Sequence, residues 1–443
     1  NVSHGFSVWN RQHTSPACAY SSSLRMFAGS STLSTMEDTD TPPETATSPP
    51  IAKLVPATPE SLSQCAVRLA QNSLVSFPTE TVYGLGANAL SEPAIRKIFA
   101  AKRRPLTDPL IVHVLDVSDA LQLWDTTTTT TDSEDSADTA EEVLRALTST
   151  FWPGPLTIVS LALPSVPPIV MAGTGYVACR SPCHPIARTL IRESGVPIAA
   201  PSANRFGHVS PTSAKHVYDD LRGEDVWIVD PLMDGEGQEE EGCAVGVEST
   251  VAKVDHASRS IAILRHGAVS SVQIRDCLTS HNISSYDVTT QIKTTAETVS
   301  NIAPGQTIRH YSPNVPSTLL STRRFEQSPS TSEPLSNDEL SVLTTSVVLD
   351  YGKRLSSLAP HCLSYRDLSP DNDSTQAAHA VFDGLRWAEN VEGVARIYFP
   401  DIEVEDSEDV GNGNGNGGED ALLLAVKDRL TRAASGVVVT TLQ

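Results

Sequence analysis

Between Ser76 and Gly86 the chain sets Thr79, Glu80 and Thr81 beside Gly84 and Gly86, and a short way on it runs Lys102-Arg103-Arg104-Pro105. Hydroxyls and a carboxylate suit a small polar substrate. Neighbouring cations suit phosphate, one as a mobile point charge and the other as a planar fork. The glycines permit close backbone approach or a positive φ. Singly, each piece has a plainer reading, since cations favour helix C-termini through the macrodipole and Thr-Glu-Thr makes an ordinary polar turn. Together they are the chemistry of a phosphate-bearing ligand beside a small polar one.

The surrounding pattern says what must position them. Leu62, Cys65, Ala66 and Leu69 fall at helical spacing and give way to the apolar run Leu74-Val75-Ser76-Phe77, which reads as a strand. Pro78 ends that strand, so Thr79 to Thr81 sit where the backbone leaves a sheet, a common place for substrate groups in α/β folds. Ser91 is placed as an N-cap with Pro93 in the first turn, Ala94, Ile95, Ile98 and Phe99 facing inward, and a helix end near Ala101 that carries Lys102 and Arg104. Further on, the pattern predicts a helix over 184–194 closed by Gly195, a strand over 196–200 and a helix over 213–222 closed by Gly223. Strands follow over 226–229, 247–254 and 260–264. This is a mixed α/β sheet, interrupted by surface insertions at about 126–142 and 234–242.

Length and composition bound the rest. At 443 residues the chain is long enough for two to three units, and low-complexity tracts reduce that to two. A net charge of −21 argues against a protein that coats nucleic acid, although much of the acid lies in 132–142 and 236–241 and leaves room for a locally positive cleft. Seven scattered cysteines form no disulfide framework, and Cys179 and Cys183 lack the second pair a zinc site needs, so no metal site is expected. No apolar run approaches the ~20 residues of a membrane span, and the protein reads as soluble, without a membrane partner. Residues 1–36 lack Asp and Glu and carry Arg11 and Arg25 among many Ser and Thr. That composition fits a mitochondrial transit peptide as well as a plain disordered leader, while a start at Met36 would give a cytosolic form.

The expected organisation is a leader over 1–56, a first folded unit over 57–280, a linker over 281–315 and a second unit over 316–443. The second unit reads as a small open α/β domain. It has a strand at Ser346 to Leu349, a helix with Ala378, Phe382 and Leu385 on one face, a strand from Ala395 to Phe399, a Gly-Asn linker over 411–418 and a helix from Leu422 to Ala434.

The polar segments recur in an order of their own. Pro78-Thr79-Glu80-Thr81-Val82-Tyr83-Gly84-Leu85-Gly86 is followed by Lys102 and Arg104 with Asp108-Pro109-Leu110-Ile111-Val112-His113, then by Phe151-Trp152-Pro153-Gly154-Pro155-Leu156-Thr157 and Arg180-Ser181-Pro182. Ala200-Pro201-Ser202-Ala203-Asn204, Gly246-Val247-Glu248-Ser249-Thr250-Val251 and Ile263-Leu264-Arg265-His266-Gly267 complete the set. This resembles the YrdC-like family of L-threonylcarbamoyladenylate synthases, in the long form that adds a Pro-Gly…Arg-His-Tyr-x-Pro linker and a C-terminal domain. The resemblance implies a YrdC-like twisted mixed sheet with a concave cleft, plus a smaller, open, Rossmann-like α/β domain. It also implies synthesis of L-threonylcarbamoyladenylate from L-threonine, bicarbonate and ATP with Mg²⁺, releasing pyrophosphate, for threonylcarbamoyladenosine modification of tRNA next to the anticodon. A downstream threonylcarbamoyl transferase complex would be the partner, with weak RNA contact as a further expectation.

By the same resemblance, Lys102 and Arg104 grip the triphosphate, and Asp108, Ser202, Asn204, Ser210, Arg265 and the lid residue Tyr311 complete the ATP side. Thr81, His113, Arg180 and Ser249 form the threonine side, with Arg180 suited to the amino-acid carboxylate. Glu80 and Glu248 either orient hydroxyls or help hold Mg²⁺. Such a reaction asks for positioning and charge stabilisation rather than a covalent triad. Two departures stand out: Asp108 replaces the family's usual Asn, and His266 replaces a frequent Pro. The rival reading is a non-catalytic RNA-binding module of the same fold, which would need the cations but not Thr81, Arg180 and Ser249.

Overall fold

The computed structural model describes residues 51–127, 138–233, 243–292, 299–305, 311–325, 334–403 and 420–442. The leader over 1–50, the insertion at 234–242, most of that at 126–142, part of the linker (306–310) and the Gly-Asn linker at 411–418 lie outside them. No helix among the described residues is long and apolar enough to cross a membrane.

Capping and apolar spacing account for the helices around the cleft. In α1 (Pro59–Ala70), Thr58 accepts from the Ser61 amide and Leu62, Cys65, Ala66 and Leu69 are buried as their spacing predicts. Helix α2 (Glu92–Lys102) starts at Ser91, whose side chain makes no cap hydrogen bond, so its start rests on Pro93 and the buried Ala94, Ile95, Ile98 and Phe99. The next residue, Arg103, is left-handed at φ 54°. That turn leaves Arg103 exposed and directs Lys102 and Arg104 into the interior. Helix α5 (Pro185–Ser194) ends on Gly195 at φ 65°, as its sequence requires.

The first sheet is mixed, with eleven strands among the described residues in the order β1-β8-β2-β3-β7-β4-β6-β5-β9-β10-β11. These are β1 (Lys53–Pro56), β2 (Leu74–Phe77), β3 (Gly84–Asn88), β4 (Ile111–His113), β5 (Leu156–Leu161), β6 (Tyr176–Arg180), β7 (Ile198–Ala199), β8 (Val226–Asp230), β9 (Thr250–Asp255), β10 (Ser260–Arg265) and β11 (Asp287–Thr290). The sheet contains parallel pairs such as β4 with β6 and antiparallel ones such as β5 with β6.

Several expected bounds move, for local reasons. Lys53–Pro56, placed in the leader by composition, pairs parallel with β8 and buries Val55. Strand 196–200 shortens to Ile198–Ala199 between Pro197 and Pro201, which lack ladder donors. Strand 247–254 begins only at Thr250, because 246–249 bends toward the cleft. Residues 139–142 belong to helix α4 (Ala140–Phe151), whose Thr139 and Glu142 form a capping box. Past Ser280, β11 joins the edge of the same sheet beside β10.

The C-terminal part is an open, all-parallel five-stranded sheet in the order β14-β13-β15-β12-β16, from β12 (Ser317–Leu320), β13 (Ser346–Asp350), β14 (Ser364–Asp367), β15 (Arg396–Pro400) and β16 (Val438–Val439). Helices α9 (Ser374–Glu389) and α10 (Ala421–Ala433) pack on it through Ala378, Val381, Phe382, Leu385, Val426 and Leu430. That core also takes in Val82, Val209, Val247 and Tyr311, so the cleft loops are packed against this domain from behind.

Candidate active site

Strand ends and the loops between them form a pocket lined by Thr79, Thr81, Arg104, His113, Arg180, Ser202, Glu248, Ser249, Arg265 and Tyr311, with Pro304 and Gly305 from the linker. Strands β4 and β6 end side by side with His113 and Arg180 in register, which places imidazole and guanidinium together. The Arg180 Nη2 lies 2.6 Å from Glu80 Oε1, its Nη1 donates to Thr81 Oγ1 at 2.9 Å and its Nε to the Gly154 carbonyl at 3.2 Å. Burial works against the Glu80 charge, but Arg180 outweighs it and holds the carboxyl below its usual range. Burial, then Arg180, pushes His113 down to about 3, so it is a neutral ring, and its Nδ1 has no hydrogen-bond partner.

Arg265, at the end of β10, donates through Nε and Nη2 to the Ser249 carbonyl at 3.1 and 3.0 Å and through Nη2 to Ser249 Oγ at 3.1 Å. Ser249 Oγ is also 2.7 Å from Thr157 Oγ1. Arg104 sits 2.8 Å from Asp108 Oδ2 and donates to the Asp108 and Pro109 carbonyls. Burial lowers Lys102, Arg104 and Arg265 from their ordinary values, with a neighbouring arginine adding to the effect in each case. Arg104, Arg180 and Arg265 line one pocket, the first two already facing Asp108 and Glu80, and three guanidinium groups so close together suit an anionic ligand whatever the chain's net charge.

Eight of the expected residues therefore meet in one pocket: Thr81, Arg104, His113, Arg180, Ser202, Ser249, Arg265 and Tyr311. Four stand behind it. Lys102 is buried beneath the loop after β7, its Nζ donating to the carbonyls of Ser202, at 2.6 Å, and of Asn204. The Asn204 side chain accepts from Ser202 Oγ and donates to the Arg205 and His208 carbonyls, which fixes that loop. Ser210 donates to Glu248 Oε1 at 2.6 Å. Asp108 faces Arg104, as its ion pair shows.

The two acids of undecided role are both engaged by arginine, Glu80 by Arg180 and Glu248 by Arg429 on α10 at 2.9 Å. Neither fits a Mg²⁺ ligand in that state, and the described residues hold no cluster of three or more His, Cys, Asp or Glu suited to a metal. Arg429 is the residue near the cleft that sequence reasoning passed over. Its signal was a cation on the apolar stripe Ala425, Val426, Leu430 and Ala433 of an otherwise amphipathic helix.

Two family models account for most of the described chain. Residues 68–267 match Sua5_yciO_yrdC, described as "Telomere recombination", and residues 269–435 match "Threonylcarbamoyl-AMP synthase, C-terminal domain". A threonylcarbamoyl-AMP synthase of Pyrococcus abyssi is 38% identical over 260 residues, 58% of this chain and 68% of that protein. The chain belongs to the Sua5/YrdC family of threonylcarbamoyl-AMP synthases. The family member from Bacillus subtilis is 40% identical over 256 residues, 58% of this chain and 65% of its own length, so the match spans about two thirds of these relatives. Among solved structures, P. abyssi Sua5 complexed with L-threonine superposes with a TM-score of 0.65 at 28% identity, covering 88% of this chain and 99% of that one. Both the mixed-sheet domain and the parallel C-terminal domain of this family are thus present.

Proposed function

We propose that the protein synthesises L-threonylcarbamoyladenylate from L-threonine, bicarbonate and ATP. The observation that carries this reading is the meeting of Arg104 and Arg265 with Thr81, His113, Arg180 and Ser249 in one pocket, in a chain of the threonylcarbamoyl-AMP synthase family. The threonine amine would add to bicarbonate-derived carbon with loss of water to give a carbamate. A carbamate oxygen would then attack the α-phosphate of ATP, forming the mixed anhydride as the bond to pyrophosphate breaks.

Arg180, held by Glu80 and Thr81, is suited to the threonine carboxylate, with Thr81, Ser249 and the neutral His113 ring offering partners to the amine and hydroxyl. Arg104 and Arg265 are suited to the phosphates, and Ser202 to the nucleotide, on a loop that Lys102 and Asn204 hold. Mg²⁺ would arrive on the triphosphate as part of the nucleotide substrate. Tyr311, buried with Gly305 at the pocket, is suited to exclude water from a hydrolysable adenylate. The adenylate would pass to a threonylcarbamoyl transferase acting on tRNA. Burial of Lys102, Arg104 and Arg265 speaks against an RNA-binding role, which needs cations that a backbone can reach.

The deciding assay incubates the protein with ATP, Mg²⁺, bicarbonate and L-threonine and measures pyrophosphate and adenylate. Both should vanish when threonine is omitted; pyrophosphate release indifferent to threonine would refute the reading.

A further inference from the structure

The loop that brings Glu248 and Ser249 into the pocket is held from behind by the C-terminal domain. Gly246 lies at φ +75°, and a Cβ there would stand 2.4 Å from the Cα of His379 and 2.5 Å from the Ala378 carbonyl oxygen, so backbone lies directly against α9. Val247 enters the C-terminal core. Glu248 then receives Arg429, which is fully buried on α10 and contacts three parts of the site at once. Its Nε donates to Glu248 Oε2 at 2.9 Å, its Nη2 to the His266 carbonyl at 3.0 Å, directly after Arg265, and its guanidinium carbon lies 5.1 Å from the centre of the Tyr311 ring. Nη1 is met by Asp428 at 2.9 Å.

A buried guanidinium with each nitrogen engaged is costly to assemble and fixes orientation better than it adds stability. Packing of α10 would be served as well by an apolar residue at this point of its inward stripe. What an apolar residue could not do is hold the Glu248 carboxylate, and through it the Ser210 hydroxyl, in one arrangement at the pocket wall.

We propose that Arg429 is a positioning residue of the cleft: it sets Glu248 from the C-terminal domain, which thereby forms a working wall of the active site. This rests on the synthase reading given above. Loss of the arginine should loosen a loop that must present its side chains to within tenths of an ångström, and misplacement of about 1 Å can lower turnover on the order of 10²-fold.

The test is a double-mutant cycle of Arg429→Met, Glu248→Gln and the pair, on the full chain, reading kcat and KM for threonine-dependent pyrophosphate release. Arg429→Met should lower kcat by roughly 10- to 100-fold with KM for ATP little changed. The pair should be no worse than Glu248→Gln alone, because Arg429 acts through Glu248. Losses that multiply, or unchanged kcat with only a lower melting temperature, would overturn the proposal. Should Arg429→Met fail to fold with Glu248 left uncompensated, Arg429→Lys, which keeps the charge and loses the planar fork, takes its place in the cycle. Hydrogen exchange of the peptide over 243–250 separates this outcome from failure of the synthase reading. Faster exchange in the Arg429 single variant than in the wild type, with the pair no faster than Glu248→Gln, supports positioning even if the wild type makes no adenylate, and exchange equal in the single variant and the wild type overturns it.

Discussion

His208 Nε2 lies 2.9 Å from Glu389 Oε1, and Nδ1 of the same ring lies 2.9 Å from Asp220 Oδ1. One imidazole thus joins a carboxylate of the mixed-sheet domain to one of the C-terminal domain. Arg386 reaches the same Asp220 at 3.1 Å, balancing two acids with two cations. Burial opposes the His208 charge, but the two carboxylates outweigh it and raise the group from 6.5 to about 9. A base raised on folding contributes stability in full below about 6.5 and loses it as pH climbs through about 9. Neighbouring His216, lowered to about 4 by burial and Arg386, stays neutral across that window. We therefore expect the wild type to lose roughly 2 kcal/mol of unfolding free energy between these limits relative to His208→Gln. Denaturant midpoints at several pH values read this directly, and parallel profiles for the two proteins would refute the clasp.

Lys102 stands in a different light once its surroundings are known. The family resemblance implies a cation that grips the triphosphate. In the structure its Nζ satisfies the Ser202 and Asn204 carbonyls, so truncation leaves buried acceptors unmet and opens a cavity. Lys102→Ala should lose roughly 2–4 kcal/mol of stability as well as adenylate synthesis. Arg104→Lys, which keeps a charge at the pocket, should lose activity with a smaller change in melting temperature. Thermal melts beside pyrophosphate assays check both, and an unchanged melting temperature in Lys102→Ala would show that the loop does not depend on it.

What the sequence disclosed follows a physical line. Where a helix announces itself by apolar spacing and a cap, as in α5 with Gly195, its limits were readable within a residue or two. Motif order singled out Thr81, His113, Arg180, Ser249 and Arg265; His113, Arg180 and Arg265 each close a short buried strand, whereas Ser249, expected inside a strand over 247–254, precedes β9 instead. The left-handed turn at Arg103 was invisible, since a Lys-Arg-Arg run gives no hint of which members face inward. Strand β11 was hidden by its exposure, an edge strand with no apolar alternation to detect. The contact of Arg429 with Glu248 spans 181 residues and two domains, a relation carried by tertiary packing rather than local pattern.

Asp108 offers a substitution that should tighten ATP binding. Its carboxylate is buried against Arg104 and raised from its usual value by desolvation, which exceeds the opposing pull of the arginine. Such a pair holds a negative charge where phosphate would add more. Asp108→Asn, the residue common in the family, keeps the shape and removes that charge. The KM for ATP should fall about three- to tenfold, the scale of about 1 kcal/mol of relieved repulsion, while the free protein loses stability because Arg104 is left buried without its counter-charge. A raised KM would mean instead that the acid is needed to aim Arg104.

The threonine side makes the sharpest separable prediction. Arg180 already has Glu80, Thr81 and the Gly154 carbonyl as partners, which fix the plane of its guanidinium before any ligand enters. Lysine retains a charge but not a fork with three directed bonds, so Arg180→Lys removes orientation more than attraction. Thr81→Val keeps volume and deletes one hydroxyl acceptor and donor, leaving the Arg180 Nη1 unmet. We expect Arg180→Lys to raise the KM for threonine about 10- to 100-fold and Thr81→Val about 3- to 30-fold, consistent with the loss of one or two charge-assisted hydrogen bonds. The KM for ATP should move less than about threefold in both, since neither Arg104 nor Arg265 is hydrogen-bonded to Arg180 or Thr81. Initial rates with each substrate varied in turn check this, and equal effects on both substrates would show that Arg180 braces the whole cleft instead of serving its threonine side.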